Sequence, residues 1–171
     1  MLKVKRVHIY SILILALAIH LTILNHINIF GAKPDLVLAL VIFFGLFLGG
    51  RMGLESGLVA GFLEDILTLD IFWANTFILG ITGLLAGALN TKFFKESKIT
   101  QTLLVFGFTT FSMAIHFLVT SFFLKSPNLN LSDYFVNSII ATSIYTALIS
   151  VPLYSKFIDL YGLKEKDEDL L

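Results

Sequence analysis

The sequence contains no cysteine, only three prolines and one tryptophan, and charged residues occupy just 14% of its 171 positions. The absence of cysteine excludes disulfide bonds, thiol catalysis and cysteine-ligated metals. Positive and negative charges balance to zero, so the charge gives no indication of a nucleic-acid partner. Catalytic motifs are missing too: there is no phosphate-binding loop, no G-x-S-x-G and no nucleophile at a workable spacing from a base. The sequence therefore predicts a protein that is not an enzyme and has no catalytic residues and no cofactor.

Apolar side chains, by contrast, are abundant. Hydrophobic residues make up 57% of the chain, phenylalanine occurs 17 times and the mean hydropathy is +0.89. A soluble domain of this length has too little interior to bury that much apolar surface. A helix of roughly 20 apolar residues crosses a bilayer. We predict a single integral-membrane domain over residues 1–171, an all-α transmembrane helix bundle whose six spans cover about 7–25, 34–50, 53–71, 73–91, 100–124 and 134–155.

The basic residues predict the orientation of these spans, because cytoplasmic loops of membrane proteins are enriched in Lys and Arg. With the amino terminus in the cytoplasm, ten of the twelve basic residues lie on the inner side, and only Lys33 and Lys125 lie outside. Both termini are therefore predicted to be cytoplasmic, with a charged tail over 162–171. The outer connections are expected at 25–35, near Asp70 and at 125–133, and the Pro34-Asp35 pair is expected to start the second helix.

Gly53, Gly57, Gly61 and Asp65 recur at every fourth position of the third span and so lie along one stripe of that helix. Glycines at this spacing allow a second helix to approach backbone to backbone. Spans two and four carry similarly spaced glycines, so the three spans are expected to pack closely. The alternative is that these glycines reflect only the general abundance of glycine in membrane helices.

Polar side chains on the last two spans allow two interpretations. Thr109 and His116 share roughly one face of span five, and Thr142 belongs to a stripe of hydroxyl groups on span six. These side chains suit interhelical hydrogen bonds, and they are equally suited to lining a polar cavity. The four histidines show no metal-binding spacing, because no H-x-x-x-H and no carboxylate-supported pair occurs. No metal site is predicted.

Glu64 and Asp65 are unusual because they lie roughly 17 Å into the third span, near the middle of a bilayer core about 30 Å thick. Exposure of such a carboxylate to lipid is disfavoured by about 2.5 to 3.5 kcal/mol. Protonation, an internal basic partner or another protein would shelter it. Adjacent residues of a helix point about 100° apart, so the two acids are not expected to act as a catalytic pair. Glu55, nearer the helix start, is expected to pair with Arg51 four positions earlier.

Three segments resemble a known family: "KPDLVLAL" at 33–40, "GLFLGGRMGLESGLVAGFLEDIL" at 45–67 and "GLLAGAL" at 83–89. They resemble the bacterial rod shape-determining protein MreD family, small polytopic inner-membrane proteins. In that family a Pro-Asp pair enters an early helix, and a Gly-x-x-x-Asp lies near the end of a glycine-spaced helix. Two features depart from the family pattern: 67–77 lacks the usual glycine-containing turn, and Glu64 stands beside the aspartate. The family positions fall here on Pro34, Asp35, Gly57, Gly61 and Asp65.

The resemblance implies a non-enzymatic membrane scaffold of the bacterial cell-elongation (rod) complex, located in the inner membrane and supporting cell shape and side-wall peptidoglycan synthesis. Its implied partners are the lipid bilayer, an MreC-like protein and, in a larger complex, MreB, RodA and a class B penicillin-binding transpeptidase. Family members are also similar in architecture to the six-helix substrate-binding subunits of energy-coupling-factor transporters. In this interpretation the glycine stripe and Asp65 order the bundle, while Pro34, Asp35 and Glu64 shape a docking surface.

Two other functions are compatible with parts of the sequence. One is the substrate-binding subunit of an energy-coupling-factor vitamin transporter, which a cavity between spans five and six lined by Thr109, His116 and Thr142 would favour. Span one lacks the Ala-x-x-x-Ala docking motif of such subunits, since Ala16 and Ala18 are only two positions apart. The other is an intramembrane hydrolase using Glu64 or Asp65. The divergence of these two acids and the lack of a metal-binding set disfavour it.

Overall fold

The computed structural model describes residues 6–22, 32–68, 73–89, 98–124 and 135–161. These residues form six helices and contain no β-strand, so the all-α prediction is confirmed for them. The predicted connection near Asp70, the one at 125–133, most of the one at 25–35 and the tail at 162–171 lie outside the described residues. The helices are α1 (Arg6–Thr22), α2 (Leu36–Leu48), α3 (Gly50–Thr68), α4 (Ala74–Ala88), α5 (Lys98–Leu124) and α6 (Ala141–Tyr161), and a π-helical turn (Phe135–Ile140) leads into α6.

The break between α2 and α3 is a single residue, Gly49. Its φ of 95° lies in a region that other residues rarely adopt, and its N–H donates to the Gly45 carbonyl as α2 ends. The Gly53 N–H then donates to the Gly49 carbonyl, so α3 begins at once. Arg51 and Met52, which the sequence placed between two spans, therefore lie in the first turn of α3.

Two helical segments are long and apolar enough to cross a membrane, Lys98–Phe123 and Ser138–Ile158. The other apolar helices are shorter than the predicted spans, because α1, α2 and α4 contain 17, 13 and 15 residues. Helix α3 has 19 residues, but its apolar sequence is interrupted by four charged side chains, those of Arg51, Glu55, Glu64 and Asp65.

Helix α2 is the core of the protein. Its sequence, LVLALVIFFGLFL, has no polar side chain, and every residue from 37 to 47 is buried. A helix that is apolar on all sides is stable only when protein surrounds it, and α2 contacts all five other helices. An aromatic cluster closes one side, where the Phe43 and Phe47 rings lie 5.2 to 6.3 Å from those of Tyr154 and Phe157 on α6.

Helices α3 and α4 pack antiparallel with their backbones in contact. A methyl group added at Gly53 would overlap the Gly83 backbone, and one added at Gly57 would overlap the carbonyl of Leu79. A methyl group at Gly61 would meet the backbone of Asn75 in the same way. Helix α2 joins the contact, since a methyl group at Gly45 would lie 2.5 Å from the Gly83 carbonyl oxygen. Helices α2, α3 and α4 therefore form one closely packed unit.

Hydroxyl groups attach α5 and α6 to this unit and to each other. The hydroxyls of Thr82 on α4 and Ser112 on α5 lie 3.3 Å apart. Thr110 on α5 donates to the Ser143 hydroxyl on α6 at 3.0 Å. Thr146, the next buried hydroxyl group of α6, is 1% exposed and lies against the start of α2.

Candidate functional site

A polar cavity of about 260 Å³ lies where α1 and α3 end and α2 and α4 begin, against the middle of α5. Its walls are partly apolar, with Leu38, Ile78 and Leu79 among them. The polar side chains on its walls include two histidines and two carboxylic acids, an unusual combination inside a bundle of apolar helices. The polar lining residues are His20, Asp35, Glu64, Thr68, Asn75, Ser112 and His116.

Glu64 is the most buried acid of this cavity, with 7% of its surface exposed. Its Oε1 atom has no hydrogen-bond partner among the described residues, and neither does the buried Nδ1 atom of His20. A buried polar atom without a hydrogen-bond partner is destabilising by about 1 to 3 kcal/mol. Two such atoms on residues that line one cavity therefore indicate a binding site.

Three side chains from three helices converge in the cavity. One nitrogen of His20 and one carboxylate oxygen each of Asp35 and Glu64 all lie within 4.8 Å of one another. Sequence spacing could not reveal this cluster, because its members are separated by 15 and 29 positions of the chain. The absence of a metal-binding motif predicted no metal site, yet the fold assembles three side chains of the type that bind metal ions.

Asp35 is held rigidly at the start of α2. Its Oδ1 atom accepts a hydrogen bond from the Leu38 N–H at 2.8 Å, which caps the helix as the Pro-Asp sequence predicts. Its own N–H donates to the Thr146 hydroxyl at 2.9 Å, which ties the cap to α6. A carboxylate has two oxygens, so the cap leaves Oδ2 available to the cavity.

Asp65 points away from the cavity and onto α4. Its Oδ1 atom accepts the Asn75 N–H at 3.0 Å, and its Oδ2 atom accepts the N–H and the hydroxyl of Thr76. The residue before α4, Trp73, makes no side-chain cap of its own. Asp65 therefore caps α4 from the neighbouring helix, and no basic side chain is needed to shelter it.

The structure places the three residues of the predicted docking surface, Pro34, Asp35 and Glu64, at or beside the polar cavity. Pro34 and Glu64 are buried, Asp35 is half-buried, and the last two face the interior cavity. Partner binding by these three residues stays a prediction. The direction of a helical side chain depends on the neighbouring helices, which the sequence pattern does not specify.

The structure places the three residues predicted to line a polar cavity, Thr109, His116 and Thr142, in different surroundings. His116 lines the cavity, and its Nδ1 atom lies 3.4 Å from the Thr120 hydroxyl. Thr109 and Thr142 are 0% and 5% exposed and are not part of its lining. The cavity lies among α1 to α5 rather than between α5 and α6.

The predicted pairing of Glu55 with Arg51 is wrong. Glu55 instead lies 3.6 Å from the Arg6 guanidinium and accepts a hydrogen bond from the Tyr10 hydroxyl. Arg51 is exposed at the start of α3. Both observed partners belong to α1, so Glu55 joins α1 to α3 instead of stabilising its own helix.

The comparisons with known proteins agree with the family resemblance. The profile of the family described as rod shape-determining protein MreD matches residues 3–164, nearly the whole chain. No curated protein and no solved structure matches the chain. Because the match extends over all six helices, the chain belongs to the rod shape-determining protein MreD family.

Proposed function

We propose that this chain is a non-enzymatic, multi-pass scaffold of the bacterial inner membrane that acts in rod shape determination by binding an MreC-like protein. The observation that carries the proposal is the family match over residues 3–164. In the larger complex, MreB, RodA and a class B penicillin-binding transpeptidase would act with this pair in side-wall peptidoglycan synthesis. Helix-to-helix recognition is the proposed mechanism, since the sequence contains neither a phosphate-binding loop nor a G-x-S-x-G motif.

The orientation that we propose places both termini in the cytoplasm, with six helices crossing the bilayer. Arg6, Arg51 and Lys98 lie at the starts of α1, α3 and α5, and Lys156 lies near the end of α6. In an up-and-down bundle all four belong to the same side, as the enrichment of basic residues on the cytoplasmic side requires. Lys33, before α2, belongs to the opposite side.

The chain has no cysteine, so single-cysteine variants test this orientation directly. We expect a membrane-impermeant maleimide added to intact cells to label Lys33→Cys and to leave Arg6→Cys and Lys98→Cys unlabelled until the cells are opened. Labelling of Arg6→Cys in intact cells would contradict the orientation.

The surface that we propose for MreC is the outward face of the α3–α4 pair. Leu58, Phe62 and Ile66 recur at every fourth position of α3 and are 37 to 49% exposed, and Phe77 on α4 is 60% exposed. Backbone contact holds the two helices rigidly, and a preorganised surface loses less conformational entropy when a partner binds. The α5–α6 pair instead has an open apolar groove of about 500 Å³, which suits acyl chains.

A photo-reactive amino acid placed at Phe62 or Phe77 tests this surface. We expect cross-links from either position to an MreC-like protein in living cells, and none from Leu118 on α5 or Leu148 on α6, which are 65% and 59% exposed. The matched exposure of the control positions separates partner contact from general accessibility. Cross-links from Leu118 or Leu148 alone would contradict this surface and would place the interface on α5 and α6.

The functional test is depletion of the protein from rod-shaped cells. We expect depleted cells to become round, the wild-type chain to restore rods, and the protein to co-purify with the MreC-like partner. Normal rods after full depletion would contradict the proposed role.

A role as a vitamin-binding transporter subunit has less support. Small-molecule sites are usually about 300 to 1,000 Å³, whereas the polar cavity measures about 260 Å³. Detection of a co-purified vitamin by mass spectrometry of the purified protein would support this function.

A further inference from the structure

We propose that His20, Asp35 and Glu64 form a binding site for a divalent transition-metal ion, and that Zn²⁺ is the ion that fits it best. The site does not follow from the scaffold role and does not depend on it. It would add a structural metal that fastens α1, α2 and α3 together where the polar cavity lies.

The distances are close to those of a coordinated ion. Zn²⁺ binds histidine nitrogen and carboxylate oxygen at roughly 2.0 to 2.2 Å, which places tetrahedral ligand atoms about 3.4 Å apart. The ligand atoms of the three side chains lie within 4.8 Å of one another, so a bound ion would draw them closer by up to about 1.4 Å.

The charges also match. Two carboxylates in a cavity between apolar helices repel each other and lose their hydration, and a doubly positive ion between them offsets both effects. Glu64, at 7% exposure, carries a carboxylate oxygen with no hydrogen-bond partner among the described residues. Glu64 lines the cavity shared with His20 and Asp35, where the ion would lie.

Neighbouring groups orient one of the proposed ligands and could hold a metal-bound water molecule. Asp35 is fixed by the Leu38 N–H and the Thr146 hydroxyl, which orient its carboxylate before an ion binds. Three protein ligands leave a fourth position for water, and the cavity has polar groups on Asn75, Ser112 and His116 that could hold it. His116 is also a candidate to complete the coordination itself.

The ligand set discriminates between ions. Mg²⁺ and Ca²⁺ prefer six or more oxygen ligands, and an imidazole is a poor ligand for them. One nitrogen and two oxygens suit Zn²⁺, or Co²⁺ as its spectroscopic substitute. Copper(I) prefers sulfur ligands, whereas the three clustered side chains offer only nitrogen and oxygen.

Metal binding by the full-length protein in lipid nanodiscs tests the proposal. The protein is treated with a chelator, supplied with Zn²⁺, freed of unbound ions and assayed by elemental mass spectrometry. We expect about one Zn²⁺ per wild-type chain, and an apparent Kd that rises at least tenfold in His20→Gln and in Glu64→Gln. His8→Gln, which removes an exposed histidine of the same helix, should bind as the wild type does.

Competition and spectroscopy separate this site from adventitious binding. We expect the visible absorption of bound Co²⁺ to show a low-coordinate site in the wild type, and a hundredfold excess of Mg²⁺ to leave Zn²⁺ binding unchanged. Each variant is compared as a monodisperse protein after size-exclusion chromatography, so misfolded material does not enter the comparison.

Two results would overturn the site: less than about a tenth of a Zn²⁺ per wild-type chain, or a Kd in both His20→Gln and Glu64→Gln within tenfold of the wild-type value. Neither result would affect the proposed scaffold role, which is tested by cell shape and by co-purification in the absence of added metal.

Discussion

The Oδ2 atom of Asp65 accepts two hydrogen bonds from Thr76, one from its N–H at 2.9 Å and one from its hydroxyl at 2.6 Å. The first N–H groups of a helix have no partner within that helix, and α4 obtains its partner from α3. This arrangement explains why an acid is tolerated deep in the bundle. Asp65 caps α4 although it precedes Asn75 by ten positions. The Asn75 N–H donates to the other carboxylate oxygen, Oδ1.

Replacing Asp65 with Asn should therefore destabilise the protein by about 2 kcal/mol, since caps and hydrogen bonds to charged groups each contribute on this scale. The Asn side chain keeps one acceptor oxygen, but its NH2 group would face an N–H group of α4 that the second carboxylate oxygen now accepts. The free energy of unfolding in mixed detergent micelles measures this loss. Thr76→Val, which removes only the hydroxyl bond, should destabilise by about half as much. An unchanged unfolding free energy in Asp65→Asn would contradict the cap.

Gly57→Ala tests the backbone contact between α3 and α4. The added methyl group would overlap the Leu79 carbonyl, which cannot rotate away, so the helices must separate at a loss of about 1 to 3 kcal/mol. Gly107→Ala on α5 is the matched control, because a methyl group there meets nothing within 4 Å. That control should be neutral or stabilising by up to about 1 kcal/mol. Equal effects in both variants would show that close approach is not what Gly57 provides.

Gly49→Ala tests the one-residue link between α2 and α3. The φ of 95° and ψ of 168° at Gly49 fall in a region that is nearly exclusive to glycine, so alanine should destabilise by about 1 to 3 kcal/mol. Gly50→Ala is the neighbouring control, since a methyl group there meets no atom closer than 3.4 Å. Thermal unfolding of the two variants in nanodiscs separates backbone strain from packing. If Gly50→Ala were the more damaging change, the strain at Gly49 would not be the cause.

A double-mutant cycle tests the contact of Glu55 with α1. Tyr10→Phe and Glu55→Ala should show a coupling free energy of about 1 kcal/mol, because the two side chains share a hydrogen bond. Arg51→Gln should change stability by less than about 0.5 kcal/mol, since Glu55 pairs with Arg6 instead. A larger effect of Arg51→Gln would restore the pairing that the sequence spacing indicates.

Local signals in the sequence predict much of this fold. The uniform apolar character of residues 36–48 indicates a helix surrounded by protein, and Asp35 before it indicates the cap that the structure contains. The glycine repeat of α3 indicates a close helix contact, and the structure has such a contact along α4. Each of these signals depends on residues within a few turns of one another.

The contents of the cavity could not be predicted in the same way. His20, Asp35 and Glu64 lie close together only because three helix ends come together. No periodic pattern in the sequence indicates this contact. The partner of Glu55 was mistaken for a similar reason, because Arg51 is closer along the chain but Arg6 is closer in space. Contacts between distant segments depend on the packing of whole helices, which a single sequence leaves open.

The short length of α4 has a consequence for the surrounding lipid. Its 15 residues extend about 22 Å, less than the roughly 30 Å of an average hydrocarbon core. Helix α2 is shorter still, but protein encloses it, whereas α4 presents Phe77 and Ile81 outward with 60% and 44% of their surfaces exposed. In the proposed six-span arrangement, acyl chains beside α4 would compress to match it, and such hydrophobic mismatch favours association with another short, apolar helix. The bilayer itself would thereby help to recruit a partner to this side of the protein.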